Sequence, residues 1–147
     1  MKQIFLTTAV IIITMISAAA QEYKVITSVE SIVPAGIGRS RLIENKENVN
    51  AENFKTERTD GRKSDMKEVK RKNLKINKLS ETKLLNFYSI AGINFQNIAS
   101  NDALITSRLN ELTKDGWELV FVTSAVESDG GETDGEGIFI TRYIFKR

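Results

Sequence analysis

The chain has 147 residues, with 21 lysine and arginine residues against 19 aspartate and glutamate residues, and it contains no histidine and no cysteine. It therefore lacks the commonest general base, thiolate nucleophiles, disulfides and the usual zinc ligands. The net charge of +2 provides no long-range field that would attract nucleic acid or an anionic membrane, so neither is a predicted partner.

The N-terminus has the layout of a secretory signal peptide. Lys2 precedes an apolar run, and Ala18, Ala19 and Ala20 follow it as a small-residue cleavage site. We predict a signal peptide over residues 1–20, an exported protein that is periplasmic or secreted, and no stable membrane span after cleavage. An uncleaved anchor is the alternative, although the run is short for a membrane span. Cleavage leaves 127 of the 147 residues, enough for a single domain over 21–147.

A strand over residues 22–30 is the first element predicted after the signal peptide. One face carries Tyr23, Val25, Thr27 and Val29, and the other carries Lys24, Ile26 and Ser28. This alternation is typical of a strand with one buried face.

A turn or ordered loop follows, in which Pro34, Gly36 and Gly38 interrupt regular structure before Arg39 and Arg41. Exposed backbone N–H groups and two guanidinium groups suit a carboxylate or a phosphate. Arg39 and Arg41 are therefore a candidate binding site for a small anion or a partner. The alternative is a turn whose arginines pair with nearby acids.

Residues 44–78 differ sharply in composition from the rest of the chain. Charged and amide residues dominate, and the few apolar residues form no face. Such a segment cannot bury enough apolar surface to offset its loss of conformational entropy, so we predict a charged, largely disordered insertion. Its basic end suits a polyanion, but no aromatic residue is interleaved there for stacking on bases, and a solvated linker is the alternative.

After the insertion, we predict regular secondary structure again: a strand over residues 84–91 and a helix over residues 101–115. The helix has an apolar stripe at Ile105, Leu109 and Leu112, with Leu104 beside it.

The ends of this helix are predicted from local chemistry. Ser100 or Asn101 is the predicted N-cap, because a short polar side chain accepts from the free N–H groups of the first turn. Gly116 is the predicted stop, because glycine adopts positive φ without a Cβ clash. Arg108 is predicted to face water.

Two apolar strands, over residues 117–126 and 137–146, are joined by a glycine-rich loop and predict a β-hairpin. The first strand is apolar on both alternating faces, which is typical of an interior strand. The second carries Phe139, Tyr143 and Phe145 on one face and Ile138, Ile140 and Ile144 on the other.

The hairpin loop, residues 127–137, is rich in carboxylates on a glycine-rich backbone, which suits a hard cation such as calcium. The candidate metal ligands are Asp129, Glu132, Asp134 and Glu136. The spacing does not match an EF-hand, and a single glycine-aspartate copy would not build a β-roll site. A soluble hairpin tip is the alternative, and no other cofactor is predicted.

Three segments carry a family pattern in order: EYKV, then L-x-x-x-G-W-E-L-V, then Y-x-x-K-R. The matching residues are Glu22, Tyr23, Lys24, Val25, Leu112, Gly116, Trp117, Glu118, Leu119, Val120, Tyr143, Lys146 and Arg147. Together they resemble the family catalogued as domain of unknown function 4177, relative to which residues 34–98 form a long insertion. The resemblance implies a helix packed on a small antiparallel sheet, and it supplies no activity, substrate or catalytic residue.

The sequence thus predicts a two-layer α+β domain, with a mainly antiparallel sheet of three to four strands and one helix on one face. The sheet face away from the helix is apolar on several strands, so we expect either the insertion over residues 31–98 or another protein to cover it. Cover by another protein favours a non-enzymatic module that binds an envelope protein or a second copy of itself. A cation or anion sensor is the alternative. A hydrolytic enzyme using serine with lysine, or two carboxylates, is a third hypothesis.

Overall fold

The computed structural model describes residues 21–32, 40–58, 60–89, 91–127 and 137–147. The predicted signal peptide, Arg39 and the loop carboxylates Asp129, Glu132, Asp134 and Glu136 lie outside the described residues. Of the described helices, none is both long and apolar enough to cross a membrane.

The domain is α+β, as predicted, with an antiparallel five-stranded sheet, a small second sheet and one long helix. The strands are β1 (Tyr23–Ser31), β2 (Arg41–Asn45), β3 (Leu79–Lys83), β4 (Tyr88–Ser89), β5 (Gly92–Ile93), β6 (Glu118–Val126) and β7 (Ile138–Lys146). The helices are α1 (Arg71–Leu74) and α2 (Phe95–Lys114), and 3₁₀ turns cover Ala51–Phe54 and Asp65–Glu68. The large sheet has the order β3-β2-β1-β7-β6, and β4 and β5 form the small one.

The large sheet has one or two strands more than predicted, because β2 and β3 were missed. Both are only five residues long, and their sequences, RLIEN and LSETK, are rich in charged and polar residues. They pair with each other, and Asn45 lies opposite Leu79.

The predicted strand over residues 84–91 is wrong except at Tyr88–Ser89, which pairs with β5. The chain leaves the large sheet after Lys83 because Leu84 turns into the core, where it is 2% exposed. The backbone N–H and C=O of Leu85 then bind the side chain of Asn101 rather than a neighbouring strand.

The predicted insertion over residues 44–78 consists of the end of β2 and the connection to β3. Glu44 and Asn45 belong to β2, and residues 46–78 form the connection. The N–H of Lys46 donates to the carbonyl of Lys78 at 3.0 Å, which holds the two ends of the connection together. The described helical turns within it, α1 and the two 3₁₀ turns, contain no buried residue. Disorder over 46–78 stays a prediction.

The position of β6 also differs from the expectation. It was predicted to be an interior strand because both of its alternating faces are apolar. In the described sheet it is an edge strand that pairs with β7, and all nine of its residues are exposed. Trp117, just before the strand, is the residue of this run that enters the core.

Helix α2 begins six residues earlier than predicted. Asn94 is its N-cap, with a side-chain oxygen that accepts from the N–H of Asn97. The C-terminus is as predicted: Gly116 has a φ of 85°, and the N–H groups of Gly116 and Trp117 donate to the carbonyls of Thr113 and Leu112. These two bonds form a Schellman motif, which satisfies carbonyls that the last helical turn leaves free.

The core lies between α2 and one face of the sheet. It consists of Ile26, Leu42, Leu84, Ile105, Leu112, Trp117 and Phe145, with Leu109 and Tyr143 packed against it. The predicted apolar stripe of the helix is therefore confirmed at Ile105, Leu109 and Leu112, whereas Leu104 is 42% exposed.

Asn101, predicted as a helix cap, is instead fully buried inside α2 and joins three parts of the fold. Its Oδ1 accepts from the Leu85 N–H at 2.8 Å, and its Nδ2 donates to the Leu85 carbonyl at 2.7 Å and to Glu30 at 3.0 Å. The side-chain amide of Asn101 therefore makes the backbone hydrogen bonds to Leu85 that a neighbouring strand would otherwise make.

We expect Asn101→Ala to lower the free energy of unfolding by about 3 kcal/mol, because it leaves buried backbone groups of Leu85 without partners. Urea denaturation of both proteins measures the difference. Asn110→Ala, at an exposed position of the same helix, is the matched control and should change stability by about 0.5 kcal/mol or less. Equal losses in the two variants would contradict the role assigned to Asn101.

Candidate interaction surface

The two faces of the large sheet follow from its register, because residues opposite each other in an antiparallel pair share a face. Ile26, Leu42 and Phe145 pack under α2. We call the opposite side the open face. It carries Tyr23, Val25, Thr27 and Val29 of β1, Arg41, Ile43 and Asn45 of β2, Leu79, Glu81 and Lys83 of β3, Glu118, Phe121, Thr123 and Ala125 of β6, and Ile138, Ile140, Arg142, Ile144 and Lys146 of β7.

Two apolar rows cross the open face. In the first, Val25 lies opposite Ile144, which in turn lies opposite Phe121. The side chains at its two ends are well exposed, Phe121 by 60% and Val25 by 45%. In the second row, Val29 lies opposite Ile140, which lies opposite Ala125. No described element packs on these rows.

Arg142 lies between the two rows, in a row with Thr123 and Thr27. It is exposed and makes no ion pair with any described residue. Two other cations of the open face are paired with carboxylates: Arg41 Nη1 lies 2.5 Å from Glu81 Oε1, and Lys146 Nζ lies 3.2 Å from Glu118 Oε2. The open face therefore has an excess of positive charge that includes Arg142, which lies between two threonines of its own row and is flanked by the two apolar rows.

Of the predicted anion site, the structure describes Arg41 alone. Arg41 belongs to β2, and its guanidinium binds Glu81, whose carboxylate was not considered a partner because 40 residues separate the two. Arg39 lies outside the described residues, so a joint site of Arg39 and Arg41 stays a prediction.

The predicted calcium site at Asp129, Glu132, Asp134 and Glu136 also stays a prediction. At its base the N–H of Glu127 donates to the Ile138 carbonyl at 3.0 Å, as the predicted hairpin requires. Within the described ranges, no group of three or more carboxylates is arranged to hold a metal ion.

A charged cluster under α2 was not foreseen. Glu44 is only 5% exposed, and its Oε1 lies 3.2 Å from both Lys24 Nζ and Lys46 Nζ. Its Oε2 accepts from Arg108 at 2.7 and 3.2 Å, and Arg108 also binds Glu111 at 2.7 Å. The prediction that Arg108 faces water is therefore wrong: it reaches from α2 to β2 across 64 residues of sequence.

Burial raises the pKa of Glu44, but hydrogen bonds from Arg108, Lys24 and Lys46 outweigh burial and hold that pKa below its ordinary value. A carboxylate held ionised by three cations is poorly suited to general-base catalysis, which needs a pKa near the working pH. The cluster therefore links β1, β2 and α2 through ion pairs.

A groove of about 670 Å³ at one end of the sheet is lined in part by Lys24, Lys46, Trp117 and Arg147. Lys24 Nζ and the Arg147 guanidinium carbon lie 4.9 and 4.6 Å from the centre of the Trp117 ring. The ring is 5% exposed, so it provides no stacking platform for a ligand.

Comparison of the chain with protein-family models, curated proteins and solved structures finds no match. The resemblance to domain of unknown function 4177 therefore stays a prediction. Its three sequence segments do meet in space. The backbones of Glu22 and Arg147 exchange two hydrogen bonds of 2.9 Å, and Arg147 and Lys24 cover Trp117.

The Glu44 cluster predicts a specific pH dependence of stability. Because the folded-state pKa of Glu44 lies below the ordinary value of 4.5, its contribution is fully present above that value and is lost as the pH falls through the folded-state pKa. We expect Glu44→Gln to lower the free energy of unfolding by about 2 kcal/mol at pH 7, since its partners are partly exposed, and by less at pH 3.

Denaturation at the two pH values measures this difference. Glu81→Gln breaks the exposed ion pair with Arg41 and serves as the control, with an expected cost of at most about 1 kcal/mol. A cost for Glu44→Gln that is the same at pH 7 and pH 3 would show that the carboxylate charge is not what stabilises the fold.

Proposed function

We propose that this chain is a non-enzymatic interaction module that binds another protein through its open face. The observation that carries the proposal is the pair of apolar rows flanking Arg142, on which no described element packs. An antiparallel sheet with one solvated face normally alternates apolar and polar residues. Here Phe121, Ile140 and Ile144 occupy the face that such a sheet would give to polar residues, and contiguous exposed apolar surface of this kind is typical of a binding site.

Arg142 supports a more specific statement about the partner. Arginine is enriched at the energetic centres of interfaces, because its planar guanidinium donates up to five hydrogen bonds while its stem packs on apolar groups. Burying it without an acceptor would be costly, so the partner must bring a carboxylate to Arg142 within an otherwise apolar surface. A second open face offers Glu81 and Glu118 as carboxylates, but these are already paired with Arg41 and Lys146, so it does not meet this requirement.

The partner is also restricted by location. If residues 1–20 are a signal peptide, the open face meets only proteins outside the cytoplasm, in the cell envelope or beyond it. The Glu44 cluster and the covered Trp117 ring support a binding role over catalysis, because each group is committed to contacts within the fold.

We expect benzoylphenylalanine placed at Val25, on the open face, to crosslink a second protein in intact cells. The same probe at Asn110, exposed on α2, is the control for non-specific capture. Adducts that form equally at both positions, or only with copies of this chain, would contradict a partner site on the open face.

We expect Arg142→Gln to weaken binding of the crosslinked partner at least tenfold, because a desolvated carboxylate of the partner would lose its charged donor. Isothermal titration calorimetry with the purified chain and the purified partner measures the change in affinity. Arg71→Gln, at an exposed arginine of α1, should leave the affinity unchanged. Ile140→Glu should abolish binding without unfolding the chain, and an unaltered affinity in both open-face variants would refute the proposal.

A further inference from the structure

We propose that β6 is the strand through which two copies of this chain associate. In this arrangement the β6 strands of the two copies pair antiparallel, and two five-stranded sheets become one ten-stranded sheet. The inference concerns a strand edge and does not depend on the open face having a protein partner.

The two edges of the sheet differ in how they are protected. Exposed edge strands offer unpaired backbone N–H and C=O groups, and natural proteins blunt them with short length, charged residues or proline. The β3 edge is five residues long and carries Glu81 and Lys83. The β6 edge is nine residues long, and from Leu119 to its end it contains no charged residue, proline or glycine.

Apolar side chains project from both sides of β6. Val122 lies opposite Tyr143 on the helix side, and Phe121 lies opposite Ile144 on the open face. The large apolar residues of the strand are each between 39% and 60% exposed: Leu119, Val120, Phe121, Val122 and Val126. Edge pairing covers only part of these side chains, so the two copies bury less than the roughly 1,000 Å² that a specific interface normally needs. This area corresponds to a weak, reversible dimer.

A second copy fits this edge for reasons of charge and symmetry. Glu118 is the one charged residue of β6, and antiparallel pairing keeps the two copies of Glu118 at opposite ends of the contact. A register shift at Val120, between Leu119 and Phe121, leaves residues 121–126 as the regular stretch for pairing. Because the charged β3 edge is a poor partner for β6, the contact closes as a two-fold dimer and does not propagate into a fibre.

The association is tested by sedimentation equilibrium of the chain purified without residues 1–20, over about 1 to 500 μM, a range chosen for the micromolar affinity of small interfaces. We expect the mass to rise toward twice the monomer value. Val122→Lys should raise the dissociation constant at least tenfold. Val25→Lys, which places the same charge on the open face of the central strand β1, is the control and should not change it.

Each other outcome overturns the inference. A monomer at every concentration excludes the dimer. Dimers lost in Val25→Lys but retained in Val122→Lys would mean that the copies meet through their open faces. Circular dichroism and urea denaturation of both variants establish that a lost dimer does not reflect unfolding.

A cysteine scan tests the strand pairing directly and needs no charged substitution. Because the native chain contains no cysteine, a single introduced cysteine forms a disulfide only between copies. Among Val122→Cys, Thr123→Cys and Ser124→Cys, we expect the position nearest the two-fold axis to give a disulfide-linked dimer under mild oxidation. Thr82→Cys on β3 should remain monomeric. Crosslinking at Thr82, or at none of the β6 positions, would refute the pairing.

Discussion

The burial of Glu44 is the constraint on which the arrangement of this domain depends. An ionised carboxylate can be removed from water only when cations and hydrogen-bond donors replace its hydration shell. Lys24 on β1, Lys46 after β2 and Arg108 on α2 supply them. Since Arg108 must reach Glu44, α2 is fixed over β1 and β2, and its apolar residues meet the core there. The Glu44 cluster and the apolar residues Ile26, Leu42 and Phe145 of the same face therefore hold the helix on the same side of the sheet.

A second polar network secures the chain where it leaves the sheet. Asn101 binds both backbone groups of Leu85, and Ser40 donates to Asn86 at 2.7 Å while it accepts from the Ser31 N–H at 2.9 Å. Burial raises the pKa of Glu30, which also binds Asn101, and the nearby Asp102 raises it further. The folded-state pKa of Glu30 therefore lies above the ordinary value of 4.5. As the pH falls from the folded-state pKa toward 4.5, protonation of Glu30 increases the free energy of unfolding, whereas protonation of Glu44 in acid decreases it.

Local periodicity explains which parts of the fold were predictable. The alternation in β1 and β7 and the stripe of α2 correctly predicted which residues share a face, and Gly116 predicted the helix stop, because each signal lies within a few residues of sequence. The alternation did not show which face of β1 is buried: Ile26 is in the core, whereas Tyr23 and Val25 are exposed. The strands β2 and β3 were missed because their charged residues resemble those of the segment between them. Asn101 was predicted as a cap because the helix was predicted to begin six residues too late, although Asn94 is itself a residue type that favours the N-cap position.

The open face was expected from sequence, whereas Arg142 at its centre and the Glu44 cluster were not. Which residues become neighbours across the sheet depends on register, and the Glu44 and Arg108 pair spans 64 residues of sequence. The edge position of β6 was missed for a related reason. Apolar residues on both faces of a strand predict burial on both faces, and they do not reveal whether the covering surface belongs to the same chain.

The exposure of β6 on the helix side of the sheet has a geometric cause. A helix is about 10 Å across and strands are about 4.8 Å apart, so a single helix covers about two or three strands of a five-stranded sheet. With α2 held near β2 by Glu44, all nine residues of β6 remain exposed. Both proposals involve Phe121. Pairing at β6 uses the backbone edge of the strand, whereas binding at the open face uses side chains that stay on the surface of the joined sheet, among them Val25, Val29 and Ile140. A β6-paired dimer would present two Arg142 side chains on one continuous face, and a partner with two suitably spaced carboxylates would then bind more tightly than one with a single carboxylate.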